Sequence, residues 1–189
     1  MTAGFPIESG AFIAVVGPSG AGKDSVMRFA RETLAADPRV HFVRRVITRP
    51  HDKTGEDHLP VDEAKFQTMR DNGCFALDWQ AHGKRYGIPV EVDAIVAGGQ
   101  VVVANLSRTV LCDLPARYRR PLVVEISAAP EILANRIAAR GREPEAEIAL
   151  RLSRRLAVET FPGTIVIDNG GPIEVAGRAF ADLIRRQLS

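Results

Sequence analysis

The sequence predicts an α/β fold in which a parallel sheet is covered by helices on both faces. Short apolar runs alternate along the chain with segments of helical periodicity. Strands that are apolar throughout, rather than at every second position, are typical of a parallel sheet buried on both faces. The chain has 189 residues, of which 46% are hydrophobic and 25% charged, so the composition fits one folded domain and excludes a disordered chain.

The individual elements follow in order from this alternation. The first apolar run, residues 12–16 (FIAVV), is rich in β-branched residues and ends at a glycine, as a buried strand does. Residues 48–88 interrupt the alternation of apolar runs and helical segments, since they contain Pro, Gly, His and aromatic residues. We predict that they form an insertion at the mouth of the sheet. We predict strands at residues 12–16, 40–47, 101–104, 122–126 and 164–167, and helices at residues 23–36, 107–118, 130–140 and 172–187.

Charge and composition exclude several classes of protein. The net charge of +2 gives no argument for a nucleic-acid partner. An apolar stretch of about 18 residues, the length that a membrane-spanning helix needs, is absent, and the N-terminus does not read as a secretion signal. Cys74 and Cys112 are far apart and have no neighbouring ligand for zinc. We therefore expect a cytoplasmic protein; the alternative is that the two cysteines pair with each other. The sequence does not indicate the oligomeric state.

The strongest motif, GPSGAGK at residues 17–23, fits the phosphate-loop pattern G-x-x-x-x-G-K (Walker A). It follows a predicted strand and opens a predicted helix, which is the context that the motif requires. Glycines let backbone N–H groups converge on phosphate oxygens, and Lys23 reaches the β- and γ-phosphates. The alternative is a glycine-rich turn with a chance lysine. The predicted nucleotide-binding residues are Gly17, Pro18, Ser19, Gly20, Ala21, Gly22, Lys23, Asp24 and Ser25.

The residue after the lysine departs from this pattern. The usual Ser or Thr, which ligates magnesium, is replaced by Asp24, and Ser25 follows it. Hard cations prefer oxygen ligands, so Asp24 is a candidate Mg²⁺ ligand, directly or through water, and Ser25 is the alternative. Asp24 also suits the first turn of a helix without any metal, because acids are favourable there.

A second cluster, residues 135–155, is rich in arginine. Arg136 and Arg140 are four residues apart and share one helix face. Arg151 lies on a second predicted helix that follows the first. Two helices that present arginines suit a lid over a triphosphate, where they would stabilise the charge of the transferring phosphoryl group. The alternative is a solvated pair of charged helices.

These motifs, with TRP at residues 48–50 and FALDWQAHGKRYG at residues 75–87, resemble the guanylate kinase family over almost the whole chain. The resemblance implies a P-loop kinase core at residues 11–47 and 89–135, an acceptor-binding insertion at about 48–88, a helical lid at about 136–151 and a C-terminal core at 152–189. Lys23, Arg136, Arg140 and Arg151 are then the catalytic residues, ATP is the phosphoryl donor and Mg²⁺ accompanies it.

The acceptor region departs from true guanylate kinases. Leu77 stands at one guanine-reading position where that family has an acid, and Ala104 and Asn105 stand at the other. Buried polar groups of guanine left unpaired would cost about 1–3 kcal/mol each, so we expect weak binding of GMP.

Several further segments resemble the ribose 1,5-bisphosphate phosphokinase family, among them GPSGAGKDS, ITRP, residues 56–58 and residues 105–108, although Leu106 stands where glycine is expected. The resemblance implies that ATP phosphorylates ribose 1,5-bisphosphate to 5-phospho-α-D-ribosyl 1-diphosphate within phosphonate breakdown. The alternatives are a guanylate kinase or other nucleoside monophosphate kinase, and an inactive interaction module. A phosphorylated sugar calls for a basic, hydroxyl-rich pocket, for which the candidates are Thr48, Arg49, His58, Tyr86, Ser107 and Arg108.

Overall fold

The computed structural model of the protein describes residues 6–50, 56–139 and 161–188. The strands, in chain order, are β1 (Ala11–Val16), β2 (Val40–Phe42), β3 (Val46–Ile47), β4 (Leu59–Pro60), β5 (Phe75–Ala81), β6 (Lys84–Pro89), β7 (Val101–Asn105), β8 (Pro121–Ser127) and β9 (Ile165–Asp168). The helices are α1 (Lys23–Thr33), α2 (Glu63–Asp71), α3 (Val92–Ala97), α4 (Leu114–Arg117), α5 (Pro130–Ala139) and α6 (Ile173–Arg185), with a 3₁₀ helix at Arg108–Asp113.

The main sheet is parallel and has the strand order β2-β7-β1-β8-β9. All six residues of β1 are buried, because alternate side chains enter apolar clusters on opposite faces of the sheet. One cluster includes residues of helices α1, α5 and α6, and the other includes residues of α3, α4 and the second sheet. The prediction of a parallel sheet buried on both faces is confirmed.

A second, mostly antiparallel sheet has the order β4-β3-β6-β5 and is built from residues between Val46 and Pro89. Its strands β5 and β6 form a hairpin that turns at His82 and Gly83, both of which have positive φ. Leu77, Trp79 and Ile88 from this hairpin belong to the same apolar cluster as Phe12 and Val102 of the main sheet. This packing holds the second sheet against the main sheet.

Two of the predicted elements were wrong. Residues 40–47 form two short strands in different sheets, β2 and β3, rather than one strand. The chain leaves the main sheet after Val43, whose N–H still donates to Val103 O at 2.9 Å. Residues 107–118 form a 3₁₀ helix followed by α4 rather than one α-helix, because Pro115 lacks the N–H that would bond to Leu111 O.

The short helix α3 was not predicted from the sequence. Within residues 6–50, 56–139 and 161–188, the structure contains no helix that is both long enough and apolar enough to span a bilayer.

Candidate active site

The phosphate loop leaves the carboxyl end of β1 and enters helix α1, at the edge of the sheet where the other parallel strands also end. Gly20 and Gly22 have φ of +83° and +81°, a region that residues with a Cβ rarely adopt. The Lys23 Nζ donates to Gly17 O at 2.8 Å and to Pro18 O at 3.2 Å. The lysine therefore folds back over its own loop, where phosphate oxygens would replace the two carbonyl oxygens.

The electrostatic surroundings of Lys23 are unusual. Burial lowers the pKa of its ammonium group from 10.5 to about 8. The neighbouring Asp24 carboxylate opposes this change, whereas the positive charges of Arg45 and Arg108 lower the pKa further. Arg45 and Arg108 therefore lie close to Lys23. A triphosphate at this position would stabilise the charged form of Lys23.

Asn169, the residue after strand β9, holds the phosphate loop in place. Its side-chain Nδ2 donates to Ala21 O at 2.8 Å, and its backbone N–H donates to Ser127 O at 2.7 Å. A Cβ on Gly22 would lie 2.5 Å from this Nδ2, so the loop needs glycine there for steric reasons as well. The position of Asn169 at the end of a predicted strand does not reveal this contact with the loop, because its partner lies 148 residues away along the chain.

The two candidate metal ligands stand at the start of α1. Asp24 is exposed, and its Oδ1 accepts a hydrogen bond from Asn105 Nδ2 at 3.1 Å, whereas Ser25 is half-buried. The described part of the chain holds no group of three or more His, Cys, Asp or Glu side chains suited to a metal ion. A magnesium ion here would share its ligands with nucleotide phosphates and water, as Mg²⁺ usually does.

Among the predicted lid arginines, Arg136 is the one that the structure describes; Arg140 and Arg151 lie outside the described residues. Arg136 lies on α5, and its Nη1 would be 4.0 Å from a Cβ on Gly22. This Nη1 and Asn169 Oδ1 are buried and find no hydrogen-bond partner among the described residues. An unpaired donor and an unpaired acceptor beside the phosphate loop are what a site for a polar ligand requires.

The predicted acceptor residues Arg49 and His58 contact each other beneath the surface. His58 is fully buried, with Nδ1 2.8 Å from Glu56 O and Nε2 3.1 Å from Arg49 O. It therefore fastens the backbone at residue 49 to residue 56 rather than facing an open pocket. Arg49 Nε is buried and has no hydrogen-bond partner among the described residues.

The predicted hydroxyl-bearing residues have local partners. Thr48 Oγ1 accepts from Arg85 N at 2.9 Å, which ties the residue after β3 to β6. Ser107 caps the 3₁₀ helix, and its Oγ accepts from Thr109 N at 3.3 Å. The half-buried Tyr86 ring stacks on Trp79, with ring centroids 5.3 Å apart and planes 7° apart.

Two arginines near Lys23 are each paired with a glutamate. Arg108 Nη2 donates to Glu125 Oε1 at 2.6 Å. Arg45 Nε donates to Glu56 Oε1 at 2.7 Å, and Arg45 Nη2 also donates to Glu56 Oε2. A substrate contact was predicted from the sequence for Arg108. For the adjacent arginines at 44 and 45 the sequence indicates that at most one of them can face the acceptor, since neighbouring residues of an extended chain face opposite ways. It does not show which one.

At the two positions that the sequence resemblance aligns with guanine-reading acids, the side chains are neutral. Leu77 is buried in the apolar cluster between the sheets, and its neighbour Asp78 faces the other way and pairs with Arg70 at 3.2 Å. Asn105 ends β7 and is engaged with Asp24.

Comparison with known proteins places the chain in a family. It matches no protein-family model. It is 52% identical over 172 residues to the ribose 1,5-bisphosphate phosphokinase of Brucella melitensis, with 90% of each chain covered. It is 49% identical over 171 residues to the protein of the same name from Pseudofrankia inefficax, which covers 90% of this chain and 88% of that one.

Solved structures show the same fold. The guanylate kinase of Anaplasma phagocytophilum aligns with a TM-score of 0.70 at 20% identity, covering 96% of this chain and 89% of that chain. A sugar kinase from Janibacter aligns with a TM-score of 0.54 at 16% identity, covering 93% and 95%. The P-loop kinase fold is therefore confirmed. By its similarity in sequence, the chain belongs to the ribose 1,5-bisphosphate phosphokinase family.

Proposed function

We propose that this protein transfers the γ-phosphoryl group of ATP to the 1-phosphate of ribose 1,5-bisphosphate, forming 5-phospho-α-D-ribosyl 1-diphosphate and ADP. The observation that carries the proposal is the combination of a phosphate loop with an arginine-lined edge that lacks carboxylates at the guanine-reading positions. The names of the relatives in Brucella and Pseudofrankia support the same acceptor.

The donor site fits a nucleoside triphosphate. The Lys23 ammonium and the backbone N–H groups of the loop would receive the phosphates, since the positive φ of Gly20 and Gly22 is what such a cradle needs. The unpaired Arg136 Nη1 and Asn169 Oδ1 are polar atoms that a bound nucleotide or its water would satisfy. Arg140 and Arg151 complete the proposed lid.

We assign the Mg²⁺ contact to Asp24, with Ser25 as the alternative. Asn105 orients the Asp24 carboxylate by donating to one of its oxygens, which leaves the other oxygen for the ion or its water. The ion, when bound with the nucleotide, would neutralise charge on the phosphates.

The acceptor requires anchoring rather than activation. A phosphate monoester has a second pKa of about 6, so its oxygens are already largely ionised near neutrality and no general base is needed. Catalysis then rests on alignment and on neutralisation of charge by Lys23 and the arginines. We propose Arg49, Tyr86 and Arg108 as acceptor contacts, with Thr48, His58 and Ser107 holding the surrounding backbone.

The alternative acceptor, GMP, is less well supported. Guanine needs acceptors for its N–H groups, whereas Leu77 is apolar and Asp78 is turned away and paired. An inactive interaction module would not need Lys23 and Arg136 at the phosphate loop.

The state of the cysteines bears on the compartment. Cys74 and Cys112 are both free thiols, which supports the proposed cytoplasmic location. We propose no nucleic-acid or membrane partner.

The experiment that tests this function is release of ADP from Mg·ATP, with ribose 1,5-bisphosphate or GMP as acceptor. We expect turnover with the sugar bisphosphate and little with GMP. Lys23→Ala should nearly abolish turnover, whereas Lys65→Ala, which removes an exposed lysine of α2, should not change it. Turnover with GMP alone would overturn the proposed acceptor.

A further inference from the structure

Arg45 lies where the chain crosses from one sheet to the other. The main sheet holds the chain as far as Val43, and the second sheet takes it up at Val46. Only 12% of the Arg45 side chain is exposed. The crossing lies at the carboxyl ends of the parallel strands, which is the edge that also carries the phosphate loop. A largely buried cation therefore stands beside the site of phosphoryl transfer.

One edge of the Arg45 guanidinium is fixed by Glu56. Both Nε and Nη2 donate to this carboxylate, which is itself 15% exposed. A guanidinium has five N–H donors in a planar fork, and a bidentate carboxylate uses two of them. The donors on the Nη1 side then point away from Glu56. They form a second edge of the kind that binds phosphate through two parallel hydrogen bonds.

The flat face of the same guanidinium lies over stacked aromatic rings. The Arg45 Cζ is 5.0 Å from the ring centroid of Tyr86 and 5.8 Å from that of Trp79. Trp79 and Tyr86 are directly opposite each other in the register of β5 and β6, so the sheet itself fixes the platform. A cation held by both a carboxylate and a ring stack loses little further freedom when it binds a ligand.

The chain neighbour Arg44 offers a matched control. Its side chain is 47% exposed and pairs at 2.9 Å with Asp57, which is 50% exposed. Arg44 and Arg45 have the same chemistry and each pairs with an acid, but they face opposite ways. Exposed pairs of this kind contribute little to stability.

We propose that Arg45, fixed by Glu56 and the Trp79–Tyr86 stack, binds a phosphate group of the acceptor and so selects a phosphorylated sugar. This inference rests on the proposed function and adds a specificity-determining residue that neither the phosphate-loop motif nor the names of the relatives assign. Glu56 acts as a positioning residue, because it sets which edge of the guanidinium faces the acceptor.

The test compares Arg45→Lys and the double variant Arg45→Ala/Glu56→Ala with Arg44→Ala. The lysine keeps the charge but loses the fork, and the double variant removes the pair together so that no buried charge is left alone. Affinity for ribose 1,5-bisphosphate is measured by calorimetry. Trp79 is the one tryptophan of the chain, so its fluorescence gives a second readout beside the site.

We expect both Arg45 variants to weaken acceptor binding by about 10- to 100-fold, the loss typical of a hydrogen-bonded charged contact. The KM for ATP and the unfolding temperature should stay close to those of Arg44→Ala. Unchanged acceptor affinity in the Arg45 variants would overturn the inference while the proposed function stands. So would an equal loss of ATP and acceptor binding, since that would indicate a structural role. Failure of the unmodified protein to bind or phosphorylate the sugar bisphosphate would overturn the proposed function, and the inference with it.

Discussion

The burial of Lys23 predicts a pH dependence of catalysis. Its pKa in the nucleotide-free protein is lowered to about 8, chiefly by burial. The kcat/KM for ATP reports on groups of the free enzyme, so it should fall as Lys23 loses its proton. With this pKa, about one tenth of the protein keeps the charged lysine at about pH 9, and kcat/KM should be about tenfold lower there than at about pH 7.

The assay is the initial rate of ADP release with both ATP and acceptor below their KM, measured between about pH 6 and pH 10, so that the rate reports on the free protein. Lys23→Arg is the matched variant, because a guanidinium stays charged over this whole range. We expect its activity to be lower at neutral pH but its profile to be flat above pH 7. A flat profile for the unmodified protein, or the same alkaline fall in Lys23→Arg, would refute the assignment of the titrating group.

The same pKa has a consequence for stability. The unfolded chain keeps Lys23 protonated up to its ordinary pKa of 10.5, whereas the folded protein releases the proton near 8. The unfolded state therefore binds more protons between these two values, and the free energy of unfolding should rise with pH across that window. The difference corresponds to about 3 kcal/mol, which is the upper bound for stabilisation of the nucleotide-free protein by Lys23→Met at about pH 7. Denaturant titrations at both ends of the window measure it, and a decrease in stability of that variant would contradict the reasoning.

Three further substitutions test other parts of the site. Asn169→Ala removes the donor to Ala21 O, and we expect the free energy of unfolding in denaturant to fall by about 1–2 kcal/mol. The KM for ATP should rise, because the phosphate loop loses this support. An unchanged KM would argue against a role of Asn169 in holding the loop. Leu77→Glu places a carboxylate in an apolar cluster, and we expect the free energy of unfolding to fall by about 3–5 kcal/mol. The control Asp78→Ala should lower it by less than about 1 kcal/mol. Equal losses in thermal or denaturant unfolding would contradict the burial of Leu77. Arg140→Ala should lower kcat more than it raises the KM for ATP in steady-state assays, since the contact should strengthen in the transition state; the opposite pattern would make Arg140 a simple binding residue.

The parts of the molecule that the sequence predicts well are those with a local signal. A continuous apolar run such as residues 12–16 is typical of a strand buried on both faces of a parallel sheet, and the structure buries all of it. The glycines of the phosphate loop can also be explained from the local sequence, because the turn requires positive φ at Gly20 and Gly22.

The parts that the sequence could not predict depend on partners that are distant along the chain. Asn169 contacts Ala21 only because β9 ends beside the phosphate loop. The role of Arg45 depends on its pairing with Glu56 and its contact with the ring stack. His58 is a lone histidine, and nothing in the adjacent sequence shows that it would be fully buried beneath residue 49. In each case the fold, rather than local propensity, decides the role of the side chain.

The most direct test of the proposed reaction is to follow the phosphorus atoms by ³¹P NMR with Mg·ATP and ribose 1,5-bisphosphate. The proposed reaction predicts loss of the sugar 1-phosphate signal and growth of two coupled diphosphate signals on the sugar, in step with ADP. Growth of inorganic phosphate alone, or phosphorylation at any other position of the sugar, would contradict it.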